Sequence, residues 1–247
     1  FGVRPEQFTF VVHGTTIATN TIIEGKQAKA GLLTSEGFRD VLEIAYQTRP
    51  TLYDVFYSKA KPLIPRHLCH GIPERIDAWG SVLVPLDEAA VRKAALTIAA
   101  EGAEAITVAF LHSYRDPSHE RRCREIIAAI LPDMPVILSS DISPEYREYP
   151  RTSTAVVNSV LLPRVGPYIT RLEERLAAEG VGSDLHLMTS SGGIIAASIA
   201  KRQPVRLVES GPAAGVIGAT FVAEASSYRK LPAPDIRGTP PQAAPVY

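Results

Sequence analysis

Short apolar runs alternate with stretches of helical periodicity along most of this chain. Phe8–Val12, Lys29–Thr34, Ala105–Phe110, Val136–Ser139 and Leu185–Met188 have strand length, and several are β-branched, which predicts strands. Between them, Val91, Ala94, Ala95, Ile98 and Ala99 recur at helical spacing, with Asp87 placed to cap the helix and Gly102 to stop it. Asp116-Pro117 marks the next helix, with Pro at the first helical position and Cys123, Ile126, Ile127 and Ile130 on one face. A third helix is predicted from near Arg151, carrying Val156, Val157, Val160 and Leu161, and Pro163 and Pro167 predict a kink or break before Tyr168–Glu179. Alternating units of this kind predict an α/β sheet covered by helices.

Two segments interrupt the rhythm. Residues 45–85 hold five prolines and little periodicity, predicting loops with short strands around Ile72–Trp79 and Val82–Val84. His67, Cys69 and His70 crowd together there, but a zinc site needs about four ligands and no second pair accompanies them, so no metal is expected. Ser226–Tyr247 has five prolines and no apolar periodicity, which predicts a disordered tail.

The stretch with most chemical content is Val11–Glu24, VVHGTTIATNTIIE. An apolar strand runs into a small polar turn and directly into a helix, and the unpaired N–H groups of a helix start favour anions. The same pattern also fits an ordinary βα turn in which Thr15 or Thr16 caps the helix and His13 makes a local hydrogen bond. Ser191-Gly192-Gly193 follows a strand, so its backbone can approach a ligand closely or simply turn the chain. Ser210-Gly211-Pro212 reads as a helix start with Ser210 as cap, and the small residues after it suit close packing as well as phosphate contact. It is not a P-loop, because no Gly-Lys-Ser/Thr follows the glycines. Glu145, Arg147, Glu148 and Arg151 read as a solvated face with weak ion pairs. No Ser-His-Asp order, G-x-S-x-G elbow or H-E-x-x-H motif is visible, so nothing supports a self-contained hydrolase.

Composition narrows the partners. Lys plus Arg and Asp plus Glu number 26 each in 247 residues, so no charge field argues for nucleic acid or an anionic membrane. The length allows one large domain or two small ones. No apolar run reaches the roughly 18 residues of a membrane span, and no secretory pattern opens the chain. Cys69 and Cys123 make no disulfide framework, and a cytoplasmic setting is expected.

Five separated blocks carry a resemblance: His13-Gly14-Thr15-Thr16-Ile17-Ala18-Thr19-Asn20, Gly37–Ile44, Glu148–Thr154, Ser190–Gly193 and Ser210–Val216. In this order and spacing, over residues 8–222, the chain resembles the A subunit of the hydantoinase/oxoprolinase family, which includes a subunit of acetone carboxylases. The resemblance implies most of one lobe of an actin-like, sugar-kinase-like and Hsp70-like (ribonuclease H-like) ATPase fold, truncated at both ends. Residues 1–225 would form the first-lobe region, with a helix near 210–225 connecting the lobes, and 226–247 the tail. Relatives use ATP and magnesium to activate the carbonyl of a cyclic amide such as a hydantoin or 5-oxoproline, or in acetone carboxylases a ketone enolate or bicarbonate. They often pair with a B-type subunit. His13, Gly14, Thr15, Thr16, Asn20, Ser191, Gly192 and Gly193 would line the nucleotide and substrate cleft, with His13 as a candidate acid or base. The Asp-x-Gly-Gly-Thr phosphate hairpins of such relatives do not occur in this sequence. The chain alone is therefore expected to bind ATP poorly and to be inactive, as a fragment or a non-catalytic remnant. If a missing hairpin supplies neighbouring strands, Phe8–Val12 is expected to present an apolar edge.

Overall fold

In a computed structural model, which describes residues 4–49, 51–226, 231–235 and 242–246, strands and helices alternate as expected. The first elements are β1 (Val11–His13), α1 (Ile17–Ile23), β2 (Ala30–Ser35), α2 (Val41–Ile44), β3 (Cys69–Ile72), β4 (Arg75–Ile76) and β5 (Val82–Val84). The middle of the chain forms α3 (Glu88–Ala100), β6 (Ala105–Ala109), α4 (Ser118–Ile130), β7 (Val136–Leu138), α5 (Ser139–Ile142) and α6 (Glu148–Ala178). Then follow β8 (Leu185–Met188), β9 (Ile194–Ala196), α7 (Ala197–Arg202), α8 (Ser210–Ala225), β10 (Leu231–Asp235) and β11 (Gln242–Val246). The chain divides into two compact units, residues 27–163 and residues 1–26 with 164–247. Among the described residues no helix is long and apolar enough to cross a membrane.

The unit of residues 27–163 is built on a four-stranded parallel sheet in the order β3-β2-β6-β7. Every residue of β2 and of β6 is buried, as befits central parallel strands with both faces covered. On one face, Val91, Ala95 and Ile98 of α3 and Cys123, Ile126 and Ile127 of α4 pack with Leu33, Ile106, Val108 and Leu138. On the other lies the first half of α6, where Ser159 Oγ accepts a 2.8 Å bond from Thr107 Oγ1. The helices stop and start largely where the sequence signals. Asp87 Oδ1 caps α3 by accepting from Ala90 N at 2.9 Å, and Gly102 follows the helix at φ +76°.

Three expectations are corrected. Pro117 precedes α4 rather than opening it, and Asp116 Oδ1 accepts from Ser118 N at 2.9 Å. The segment 45–85 contributes β3 to the main sheet, and only β4 and β5 form a separate antiparallel ribbon. Helix α6 continues through Pro163 and Pro167. Each proline withholds one N–H from the helix ladder, but Val160, Leu161, Val165 and Ile169 on either side of them are wholly buried, and that packing outweighs the missing bonds.

The other unit has a three-stranded sheet in the order β1-β8-β9, with β1 parallel to β8 and β9 returning as a hairpin. Among the described residues β1 pairs on one side only, and Phe10 and Val12 are 53% and 41% exposed. Of the proline-rich tail, β10 and β11 form an antiparallel pair, while residues 227–230, 236–241 and 247 lie outside the described residues.

Candidate functional site

Parallel pairing of β1 with β8, with Val11 opposite Leu185 and His13 opposite Leu187, sends the segments after both strands to the same sheet edge. Those segments are Gly14–Thr16 and Thr189–Gly193. The two threonines of the first turn stay local: Thr15 Oγ1 accepts from Ile17 N at 3.2 Å, and Asn20 Nδ2 donates to Thr16 Oγ1 at 3.1 Å. Thr16 is the cap residue by position, but its side chain makes no capping bond.

His13 does not bond locally. Its Nε2 lies 2.7 Å from the hydroxyl of Tyr168 on α6. Burial lowers the pKa of this imidazole below its ordinary value, so it is neutral at pH 7. A neutral imidazole held by a phenol is the form a general base requires.

The start of α8 docks against the same turn. Ser210 is the first helical residue and not the cap: its Oγ donates to Thr15 O at 3.0 Å. The residue before it, Glu209, takes the left-handed conformation at φ 61° and its N–H donates to Thr19 Oγ1 at 2.9 Å. The β8–β9 turn closes through Thr189 N to Gly193 O at 2.8 Å and Gly192 N to Thr189 O at 3.0 Å. Gly192 is required there twice over. Its φ is +82°, and a Cβ would stand 2.8 Å from Ile217 Cδ1 of α8. Ser191 Oγ lies 2.9 Å from Thr189 Oγ1.

The blocks His13–Thr16, Ser191–Gly193 and Ser210–Pro212 thus gather around one sheet edge and the first two turns of α8. Asn20 is exposed on α1, tied to Thr16. Thr19 lies in the His13–Asn20 block but is not among its candidate site residues, and Tyr168 and Ile217 carry no signal in the sequence that marks them for this site. Tyr168 touches His13 across 155 residues, a separation that no local pattern reveals.

The sheet of residues 27–163 carries a second polar cluster, also at the C-terminal ends of its strands. Glu120, fully buried, accepts from Phe110 N at 3.0 Å, Ser139 Oγ at 2.6 Å, Ser140 N at 2.9 Å and Ser140 Oγ at 2.6 Å. Arg151 donates to Phe110 O at 2.7 Å, Glu145 O at 3.0 Å and Ser139 Oγ at 3.1 Å. Ser35 donates to Glu74, whose other oxygen lies 2.8 Å from His119 Nδ1. Arg151 is 1% exposed, which overturns its placement on a solvated face. Burial pulls its pKa down against the opposing pull of Glu120. In the trio His67, Cys69 and His70, Cys69 is buried with its thiol pushed up to about 11 by desolvation, and burial lowers the pKa of His70.

Residues 2–131 match the family described as hydantoinase/oxoprolinase N-terminal region, and residues 151–246 match the hydantoinase/oxoprolinase family. Caprolactamase subunit alpha of Pseudomonas jessenii is 36% identical over 230 residues, covering 92% of this chain and 33% of the relative. The crystal structure of the ATP-dependent caprolactamase from the same organism superposes with a TM-score of 0.86 at 34% identity, covering 98% of this chain and 35% of that one. A nucleotide-free structure of acetone carboxylase, described for ATP-dependent acetone carboxylation, gives 0.89 at 29% identity, with 98% and 35% covered. Both structures are of the actin-like ATPase fold, and the α/β fold of this chain is that of part of them. The chain spans about a third of the length of these relatives.

Proposed function

The chain belongs to the hydantoinase/oxoprolinase family, and from that premise we propose that it is part of an ATP-dependent enzyme subunit that opens cyclic amides of the hydantoin or 5-oxoproline type. The observation that supports this reading is the gathering of His13–Thr16, Ser191–Gly193 and the start of α8 around one sheet edge, with His13 neutral and bonded to Tyr168.

An amide carbonyl is a poor electrophile, and phosphorylating its oxygen converts that oxygen into a leaving group. ATP supplies that activation when bound. The residues gathered here do not by themselves fit magnesium and a triphosphate. They comprise hydroxyls, backbone N–H groups, an imidazole and the one carboxylate of Glu209, whereas phosphoryl transfer needs a set of carboxylates to hold the metal. Phosphate and metal binding are therefore assigned to Asp-x-Gly-Gly-Thr hairpins of the kind complete relatives carry, and this segment to positioning and proton transfer. Thr15, Thr16 and Ser191 orient the ring by hydrogen bonds, and Gly192 and Gly193 let it approach the backbone. His13, oriented by Tyr168, takes the proton of the attacking water.

By itself the chain is expected to turn over nothing. A B-type subunit is part of the proposed assembly, and free buried cysteines fit a cytoplasmic setting. A second reading, acetone carboxylase-type activation of a ketone enolate or bicarbonate, draws support from the superposition on acetone carboxylase.

The test is ATP hydrolysis by a complete protein containing this segment, co-purified with its partner, against hydantoin, 5-oxoproline, caprolactam, and acetone with bicarbonate. Stimulation with ring opening by a cyclic amide is expected. Stimulation by acetone alone selects the second reading, and no stimulation by any of them rejects both.

A further inference from the structure

The segment that follows α2 is pinned by its own hydrogen bonds and turns its apolar side chains outward. Ala45 and Gln47 take the left-handed conformation at φ 50° and 54°. Lys59 Nζ donates to the carbonyls of Glu43 and Ile44 at the end of α2, the latter at 3.0 Å. Asp54 closes a tight turn, accepting from Phe56 N at 2.9 Å through Oδ1 and from Tyr57 N at 3.3 Å through its carbonyl. On this frame Leu52, Tyr53, Val55 and Phe56 are 76%, 94%, 87% and 92% exposed. Beside them opens a cavity of about 320 Å³ lined by Leu42, Tyr46, Leu63 and Tyr149, with the Tyr46 and Tyr149 rings edge to face at 4.7 Å.

We propose that this knob-and-cleft surface, residues 46–49 and 51–57 with the cleft under Tyr46 and Tyr149, docks a different subunit of the enzyme, one that presents an apolar patch with an acidic rim. The inference rests on the reading of the chain as part of a hetero-oligomeric subunit. Four outward side chains of this size offer on the order of 500 Å² of apolar area, most of the roughly 800 Å² that each partner buries in a standard interface. A patch of that extent matches the largest that a typical monomer carries, and such patches are often functional. Aromatic anchors beside an apolar cleft are the composition of a binding hot spot. The rim selects the occupant. Arg49, Lys59 and Lys61 stand against Asp54 and Glu43 around the knob, a small excess of cations, so a second copy across a two-fold axis would bring cations toward cations, whereas acids on another chain would pair with them. One of the relatives is itself a lettered subunit, caprolactamase subunit alpha.

The probe is the purified subunit that accompanies subunit alpha in the Pseudomonas jessenii caprolactamase, flowed over the immobilised chain in biolayer interferometry. Wild type should bind, with an on-rate that falls as salt rises. Phe56→Ser should raise Kd at least about tenfold, and Leu52→Ser with Phe56→Ser should raise it further. Leu83→Ser, at a residue 62% exposed on β5, should leave it unchanged. Near-UV circular dichroism checks that the variants stay folded, as expected for outward side chains. Binding that persists in the double variant overturns the docking surface while leaving the hetero-oligomer reading in place. Failure of wild type to bind rejects both. A wild-type dimer in sedimentation without the probe, lost in Phe56→Ser, overturns the choice of occupant in favour of a second copy.

Discussion

Replacing Arg151 by Met tests whether the buried cluster at the end of β6 holds its unit together. The guanidinium donates to two backbone carbonyls, Phe110 O and Glu145 O, and to Ser139 Oγ, which itself donates to Glu120. Methionine fills much of the volume but leaves those acceptors in a site 1% exposed and strips the Glu120 carboxylate of its nearby cation. Each buried acceptor left without its donor costs about 1–3 kcal/mol, so losing the three bonds, with Glu120 held through Ser139 left without its opposing charge, should cost about 3–5 kcal/mol in all. At roughly 2–4 °C per kcal/mol for a chain of this size, the melting temperature should fall by about 6–20 °C. Scanning calorimetry and urea melts of wild type, Arg151→Met and the exposed control Arg121→Met measure it. The control should stay within about 0.5 kcal/mol. Adding Glu120→Met to Arg151→Met removes the orphaned charge, so the double variant should lose less than the sum of the two single losses, by about 0.5–3 kcal/mol. A loss below about 0.5 kcal/mol for Arg151→Met, no larger than that of a surface substitution, or strict additivity in the double variant, would refute the assignment of a coupled buried pair.

Three further outcomes are expected. Gly192→Ala should destabilise by about 1–2 kcal/mol from the left-handed backbone alone; adding Ile217→Val, which removes the Cδ1 lying 2.8 Å from the new Cβ, should relieve only the clash, as read by urea melts of the two variants. His13 has a folded pKa below 6.5, so under that pH the unfolded chain binds a proton that the folded chain resists; stability should decline as pH falls below 6.5 and be indifferent to His13 above it, and His13→Gln should make the decline shallower without abolishing it, since His70 is shifted the same way. Cys69, with its thiol pushed up to about 11 behind full burial, should resist iodoacetamide at about pH 8 and react once urea unfolds the chain, a contrast that mass spectrometry of the modified peptide reads directly.

The strands and the amphipathic helices were legible because each is governed by its own residues. Leu185–Met188 is a strand at the expected boundaries, and α3 is capped by Asp87. Local signals misled where a distant partner decided the outcome. The two prolines of α6 carry a local instruction to break, and burial of Val160, Leu161, Val165 and Ile169 overrides it. Arg151 sits among charged neighbours that suggest a wet helix start, yet its guanidinium reaches Phe110 O, 41 residues earlier. Ser210 has the chemistry of a cap, but Glu209 holds the cap position and frees the serine hydroxyl for Thr15 O. The blocks at 13–16, 190–193 and 210–212 could be named from sequence, but their meeting depends on the parallel register of β1 with β8, which no single segment encodes.

The two sheet edges differ in a way that makes the one bearing His13 the better place to look for chemistry. Loops beyond the carboxyl ends of parallel strands are where α/β sheets bind ligands, and each unit has such an edge. In residues 27–163 that edge is filled by the protein's own groups. Both oxygens of Glu120 accept two hydrogen bonds, Glu74 is shared between Ser35 and His119, and Arg151 closes over Phe110 O. A ligand there would have to displace satisfied buried charges, each of which costs several kcal/mol to leave unpaired. At the edge bearing His13 most side chains are small, Gly14, Thr15, Thr16, Ser191, Gly192 and Gly193; the larger ones are the imidazole, bonded to Tyr168, and Glu209 at the start of α8. Short side chains and backbone beside a proton acceptor put no cluster of satisfied buried charges in the way of a small molecule. Tyr168→Phe separates orientation from packing at this edge. In a complete, active protein it should lower kcat and alter the pH profile through His13 while leaving the melting temperature close to wild type, and His13→Ala should cost about 10²–10⁴-fold in kcat. Unchanged turnover in His13→Ala would remove the imidazole from the mechanism and leave the edge a positioning surface only.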